Sequence, residues 1–320
     1  LAAQEIAVTG SVAFDHIMNF PGRFKDHILP DKLHILNVSF LVQGLQRLRG
    51  GCAANVAYAL ALHGVRPRLV AAVGSDFADY ARWLEERGVD LSGVQVHEDL
   101  LTASCFITTD LDNNQITGFY PGAMGRATDA KVGGLSGGRP AMAIVSPNDP
   151  GAMKAYPEEC RRLGVPFLYD PGQQVIALDR DAMLDGLQGA RGLVVNDYEL
   201  AIAQEKTGLT TAGLLERCQA IIVTLGEHGS RIHDRDGAVV EVPVAPVPSV
   251  ADPTGAGDAY RGGLIKGLVS GADWETCGRL GALTASYCVE SKGTSAYAFD
   301  KASFARRYAE AFGRPLPKGL

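Results

Sequence analysis

Residues 141–170 read AMAIVSPNDPGAMKAYPEECRRLGVPFLYD. A short apolar run ends in Ser-Pro-Asn-Asp-Pro turn chemistry, a segment with helical spacing follows, and the apolar run VPFLYD closes the unit. The unit recurs downstream as GLVVND (192–197), the helix-like YELAIAQEKTG (198–208) and AIIVTLG (220–226). It recurs upstream as GGCAANVAYALALHG (50–64) leading into RLVAAVG (68–74). Wholly apolar strands between amphipathic helices must be covered on both faces, so the fold class is α/β, with a central, mostly parallel sheet flanked by helices.

Other segments do not fit that alternation. EIAVTGSV (5–12) is a first strand, but FDHIMNF (14–20) and LHILNVSFLV (33–42) read as extended segments outside the main sheet. GVQVHE (93–98), TASCFITTD (102–110) and NQITGFYPG (114–122) follow one another as β-rich stretches, with turn chemistry at Asp110–Asn114. Together these segments predict a second, smaller sheet. The expected division is a large α/β domain of residues 1–12, 50–95 and 123–320, with a small discontinuous β lid of residues 13–49 and 96–122. SRIHDRDGAVVEVPV (230–244) reads as a hairpin, and helices are expected near 255–270, 273–289 and 300–312.

Composition limits the partners. The chain has 320 residues, is 46% hydrophobic and 21% charged, and carries a formal net charge of −6. No basic field invites nucleic acid or an anionic membrane surface, and no apolar run is long enough to span a bilayer. The N-terminal stretch lacks the basic and apolar regions of a signal peptide, so a cytoplasmic location is expected. The six cysteines are scattered without metal-ligand or disulfide spacing, and the seven histidines show no metalloprotease pattern.

Residues 252–260, DPTGAGDAY, place bare backbone beside two aspartates at the start of an expected helix. The first amides of a helix lack intrahelical acceptors and the dipole there favours negative charge, so a phosphate is the natural guest of Gly255, Ala256 and Gly257. Asp258 would repel that guest unless it has proton chemistry to perform, such as deprotonating an attacking hydroxyl. No G-x-x-x-x-G-K-[ST] occurs, and GAGDAY neither completes G-x-G-x-x-G nor follows the first strand. That weakens both the P-loop and the dinucleotide-oxidoreductase readings.

DPTGAGDAYRGG resembles the C-terminal signature of the ribokinase-like (PfkB) carbohydrate kinase family, Asp-Thr-x-Gly-Ala-Gly-Asp, with Pro253 in place of the usual Thr. GGCAANVAYALALHG with VGSDFADY (73–80) resembles its N-terminal signature, NDYE (196–199) its N-x-x-E motif, and VTLGEHGS (223–230) its nucleotide-side element. Within the family, TGSVAFDHIMNFPGRF, TTDLDNNQITGFYPGAM, DPGQQ and ESKGTSAY resemble adenosine kinases of the actinobacterial type. The resemblance implies a three-layer sandwich with a β lid. It also implies transfer of the γ-phosphoryl group of ATP to the 5′-hydroxyl of adenosine, giving AMP and ADP, a purine-salvage reaction. Other acceptors within the family (ribose, inosine or guanosine, a sugar phosphate) are the alternative, and a non-catalytic nucleoside-binding protein is a remoter one.

By the same resemblance, Asp258 is the base, and Gly255, Ala256 and Gly257 form the anion hole. Substrate contacts fall to Ser11, Asp15 (on the ribose diol), Ser39, Gly51, Asn55, Phe119 (stacked on the base), Gln173 and Gln174. The nucleotide is met by Asn196, Thr224, Gly226 and Gly257. Asn196 and Glu199 organise Mg²⁺, largely through water, and Asp252 and Thr254 with carbonyls near Gly293 correspond to a K⁺ site of many relatives. Several positions have plain structural alternatives: NDYE as a helix cap, Ser11 and Ser39 as strand-end serines, Phe119 as lid core, and Gln173 and Gln174 as an exposed turn. Relatives place a second aromatic near Cys105; here Phe106 is expected on the opposite strand face. Dimerisation through the lid, using apolar strands such as 33–42, is a further implication.

Overall fold

The computed structural model describes residues 4–28, 30–35, 37–136 and 138–320, so residues 1–3 and Leu36 of the expected elements lie outside the described residues. The strands are β1 (Glu5–Thr9), β2 (Ala13–Asn19), β3 (Gln43–Gly50), β4 (Arg66–Gly74), β5 (Asp90–His97), β6 (Ala103–Thr109), β7 (Gln115–Tyr120), β8 (Met142–Val145), β9 (Phe167–Tyr169), β10 (Gly192–Asn196), β11 (Ala220–Thr224), β12 (Ser230–Asp234) and β13 (Val239–Val242). The helices are α1 (Cys52–Leu62), α2 (Ala78–Glu85), α3 (Pro150–Leu163), α4 (Arg180–Leu187), α5 (Asp197–Thr207), α6 (Thr211–Leu215), α7 (Ala256–Val269), α8 (Trp274–Val289) and α9 (Lys301–Phe312).

Among the described residues, nine strands form one sheet in the order β13-β12-β11-β10-β9-β8-β1-β4-β5. It is parallel except where β12 pairs with β11 and β13, which are the hairpin strands. Burial on both faces explains the apolar runs. In β1, Ile6 and Val8 join one core and Ala7 the other; in β11, Ile222 joins the first while Ile221 and Val223 join the second. Helices α1, α7 and α8 cover the first core, and α3, α4 and α6 cover the second. Turn chemistry sets the helix ends as the sequence suggests. Asp149 caps α3 by accepting from the amides of Gly151 and Ala152, Pro150 sits at its first position, and Gly164 closes it with φ +65°.

A four-stranded sheet, β3-β2-β6-β7, stands apart from the main one. Two expectations about it are corrected. GVQVHE lies in β5, which pairs in parallel with β4 at the edge of the large sheet. The reason is connectivity: the helix-like DFADYARWLEERG (76–88), which the sequence shows between the two runs, forms α2 and makes β4-α2-β5 a parallel crossover unit, so β5 continues the large sheet. LHILNVSFLV forms no strand; residues Pro30–Ile35 make a 3-10 turn and 37–42 have no regular structure. Phe40 instead joins Phe20 and Phe24 in an aromatic cluster, with ring centroids 4.8 and 5.0 Å away. The strand that pairs with β2 here is the polar Gln43–Gly50, mostly exposed and so without apolar alternation. Among the described residues the free edges of this sheet are therefore β3 and β7, and 33–42 supplies no edge strand.

Strand order places the ligand site. From β1 the chain builds outward through β4 and β5 on one side and through β8 and β9 on the other, so the carboxyl ends of β1 and β8 flank a switch point. Helices leave in opposite directions there and a crevice opens. Ser11 follows β1 and Pro147 follows β8, and the amide of Ser11 bonds the Pro147 carbonyl at 2.9 Å.

Candidate active site

A cleft of about 380 Å³ opens over those strand ends, within the size range of small-molecule sites. Its floor carries Ser11, Asn55, Gly255 and Asp258, and its small-sheet wall carries Asp15, Cys105 and Phe119. Gln173 and Gln174 line it from the 3-10 turn after β9. Ala13, Gly51, Cys52, Met124, Pro147, Thr254 and Thr294 complete the lining.

The wall follows from register. Asp15 lies opposite Cys105 and Cys105 opposite Phe119, so one rung of the small sheet aims these three side chains at the cleft. The next rung faces away, where Phe106 stacks on His16 at 4.6 Å. Phe106 is therefore on the outer face as expected, and the wall presents one aromatic, Phe119, 51% exposed. No described residue hydrogen-bonds the Asp15 carboxylate, and burial raises its pKa from 3.8.

The floor follows from two helix starts. Gly51 caps α1 with φ +94°, and a Cβ there would lie 2.6 Å from the Ser11 carbonyl and 2.7 Å from the Ala13 amide. Backbone cannot yield as a side chain can, so Gly51→Ala should lower stability by about 3 kcal/mol. A fall in the thermal midpoint checks this; an unchanged midpoint contradicts it. With Gly51 in place, the Cys52 amide donates to Ser11 Oγ at 3.1 Å and α1 carries Asn55 into the floor.

Asn55 Nδ2 donates to Asp258 Oδ2 at 2.8 Å. Its own Oδ1 is buried without a partner among the described residues. Asp258 stands in the first turn of α7, behind Gly255, which takes φ +82° against Thr294. Burial pushes the Asp258 carboxyl up to about 6, opposed by the nearby Arg261 guanidinium and the Asn55 amide. The helix mouth differs from expectation in one detail. The Ala256 amide turns back to the Pro253 carbonyl at 3.2 Å, while those of Gly257 and Asp258 have no acceptor among the described residues. The Gly255 amide likewise has no acceptor among the described residues, so of the three expected donors only that of Ala256 is engaged, and the Asp258 amide is a further free one.

Not every expected residue reaches the cleft. Ser39 is exposed on the irregular 37–42 segment and is not among the lining residues. Asn196, Glu199, Thr224 and Gly226 lie at the ends of β10 and β11, outside the lining but beside one another, Asn196 opposite Thr224. Asn196 and Glu199 form a full capping box: Asn196 Oδ1 accepts from the Glu199 amide at 2.7 Å and Glu199 Oε2 from the Asn196 amide at 2.9 Å. The plain cap is therefore real, and Glu199 keeps Oε1 unbonded among the described residues. Asp252 uses both oxygens on amides, Thr254 at 2.9 Å and Gly293 at 3.0 Å. That ties the 252–254 loop to 293 and gives the K⁺ expectation no added support.

Sequence patterns missed the pair that joins these two regions. Arg261 Nη2 donates to Asp170 Oδ1 at 2.7 Å, Nε contacts Asp170 Oδ2, and both residues are buried. Burial raises the Asp170 carboxyl, with Arg261 opposing. Arg261 also feels Asp258 and Glu199, so it stands electrostatically between the cleft and the ends of β10 and β11. The signals were an arginine on an otherwise apolar, Gly-rich helix and an aspartate closing an apolar strand.

The chain and its fold are similar to known proteins. The family described as pfkB family carbohydrate kinase matches residues 6–301. The nucleoside kinase of Methanothermobacter thermautotrophicus is 32% identical over 324 residues, covering 98% of each chain. That of Methanocaldococcus jannaschii is 33% identical over 297 residues, 91% of this chain and 92% of that one. The structure of Burkholderia thailandensis nucleoside kinase in complex with inosine superposes with TM-score 0.86 at 39% identity, over 97% of this chain and 99% of that chain. The same kinase in complex with ADP-inosine gives TM-score 0.84 at 41% identity, over 99% and 98%.

Proposed function

The chain belongs to the pfkB family of carbohydrate kinases, phosphotransferases that act on a hydroxyl acceptor, and from that premise we propose that it phosphorylates the 5′-hydroxyl of a purine nucleoside at the expense of ATP. One observation carries the proposal: Asp258, held by Asn55 at the cleft floor, stands beside the acceptor-less amides of Gly257 and Asp258. Asp258 accepts the proton of the 5′-hydroxyl, the oxygen bonds the γ-phosphorus, and the bond from that phosphorus to the β–γ bridging oxygen breaks to release ADP. The Gly257 and Asp258 amides receive the charge on the migrating group.

The wall suits a nucleoside. Asp15 can accept from two ribose hydroxyls, Phe119 offers a face to the base, and Gln173 and Gln174 supply amides that both donate and accept. Adenosine is the acceptor proposed first. The inosine complex of the Burkholderia kinase favours a second reading, in which inosine and guanosine are accepted as well. Glutamine amides, able to reverse their donor and acceptor ends, suit either base edge. Glu199, with Oε1 free, and Asn196 fit a water-mediated Mg²⁺ contact, since that ion keeps most of its waters. Bound there with the nucleotide, Mg²⁺ would neutralise the phosphate oxygens.

The test is nucleoside-dependent ADP release across adenosine, inosine, guanosine, ribose and fructose 6-phosphate. The purine nucleosides should exceed ribose in kcat/KM by about 10²-fold or more, the base contacts supplying the difference. Ribose or fructose 6-phosphate as the best acceptor would replace the proposal by a sugar kinase.

The pH profile is a second check. A base must be ionised to act, so activity should hold above pH 6 and fall about tenfold per unit below the Asp258 pKa of about 6. An acid limb in kcat/KM nearer pH 4 would show a base in a more solvated place.

A further inference from the structure

Arg261 lies one turn beyond Gly257 on α7. Long side chains on a helix lean back toward its N-terminus, and Arg261 does so, bringing its head group to the helix mouth. A Cβ on Gly257 would lie 2.7 Å from Arg261 Nη1, so the glycine is needed for the guanidinium to sit there. Nη2 donates to Asp170 Oδ1 and Nε lies in ion-pair contact with Oδ2 without completing a hydrogen bond, which holds the group against Asp170. Nη1 is left over: no described side chain or carbonyl accepts from it. Arg261 is nearly fully buried, yet Nη1, unlike Nε, keeps an open side, so its third arm is a cationic donor beside the free Gly257 amide.

The charges around it ask for such a donor. Asp258 and Glu199 both act on Arg261, and a phosphoryl group entering between them would meet two carboxylates. A fixed cation at the same point offsets that repulsion, and a buried guanidinium already paired with Asp170 needs no rearrangement as charge shifts during transfer. Resting on the kinase reading above, the geometry points to Arg261 as a catalytic residue that donates through Nη1 to an oxygen of the migrating phosphoryl group, and to Asp170 as the positioning residue that aims it.

Arg261→Gln should lower kcat by roughly a hundredfold with nucleoside KM changed less than threefold, because Arg261 does not line the nucleoside cleft. The affinity for ADP with aluminium fluoride and nucleoside, a mimic of the transferring group, should fall by a similar factor. Affinity for nucleoside alone should not change. Asp170→Asn should fall between the variant and wild type, since the guanidinium remains but loses its anionic partner.

Removing Arg261 alone strands a buried carboxylate, so a paired variant guards against unfolding: Arg261→Met with Asp170→Leu replaces the ion pair by apolar groups of similar size. A folded paired variant that keeps kcat within threefold of wild type, or binds the aluminium fluoride complex as tightly, overturns the inference. Wild-type protein that releases no ADP with any nucleoside removes the kinase reading, and this inference with it. An active wild type with an unaffected paired variant removes the inference alone.

Discussion

Asp258→Asn is expected to lower kcat for the nucleoside about 10³-fold while the protein stays folded, with nucleoside KM nearly unchanged. Asparagine keeps the size of the side chain and an oxygen for the Asn55 amide, which donates to Asp258 at 2.8 Å. It cannot take up a proton, so the acceptor oxygen must attack as a neutral hydroxyl. The free amides of Gly257 and Asp258 remain, and they account for residual turnover.

Stability separates this variant from a merely damaged one. The folded carboxyl binds its proton at about 6, more tightly than its ordinary 3.8, so ionising it destabilises the fold. That penalty develops as pH rises from about 4 through 6 and is fully present above. An asparagine side chain never ionises, so Asp258→Asn should melt no lower than wild type at pH 8. A variant with near-normal kcat removes Asp258 as base, and one that is inactive but melts early shows a structural role instead.

The parts legible in sequence are those whose cause is local. Strands buried on both faces must be apolar throughout, so β1, β8, β9, β10 and β11 announce themselves, and Asp149, Pro150 and Gly164 mark α3. The helix mouth at 255–258 is similarly local, because glycine and aspartate there answer to the same turn. The small sheet was harder. Its strand Gln43–Gly50 is solvated over most of its length, whereas the apolar 33–42 run serves an aromatic cluster around Phe40. Periodicity reports burial, and in a thin sheet with both faces partly wet it misleads. The Asp170–Arg261 pair spans 91 residues, and only the meeting of β9 with α7 reveals that each carries the other's counter-charge. The engagement of the Ala256 amide depends on a loop carbonyl, Pro253, that a motif cannot register.

Asp15→Asn should lower kcat/KM for the nucleoside about 10³-fold, mostly through KM. The half-buried carboxylate has no hydrogen-bond partner among the described residues, yet it faces the cleft on the same rung as Phe119. Its neighbour Gly50 leaves room for it; a Cβ at that position would press on Oδ2. Two ribose hydroxyls donating to this group would form charge-assisted bonds of about 1.5–3 kcal/mol each, and an amide offers one acceptor and a competing donor. The stronger readout is discrimination. Wild type should prefer adenosine to 2′,3′-dideoxyadenosine by about 10⁴-fold, because the analogue leaves a desolvated carboxylate unpaired. In the Asp15→Asn protein that ratio should shrink toward about tenfold, since the group that penalised the missing hydroxyls has gone. If the variant still rejects the dideoxy analogue as strongly as wild type, the diol is held elsewhere in the cleft, and Asp15 serves only to shape the rung between Leu48 and Cys105.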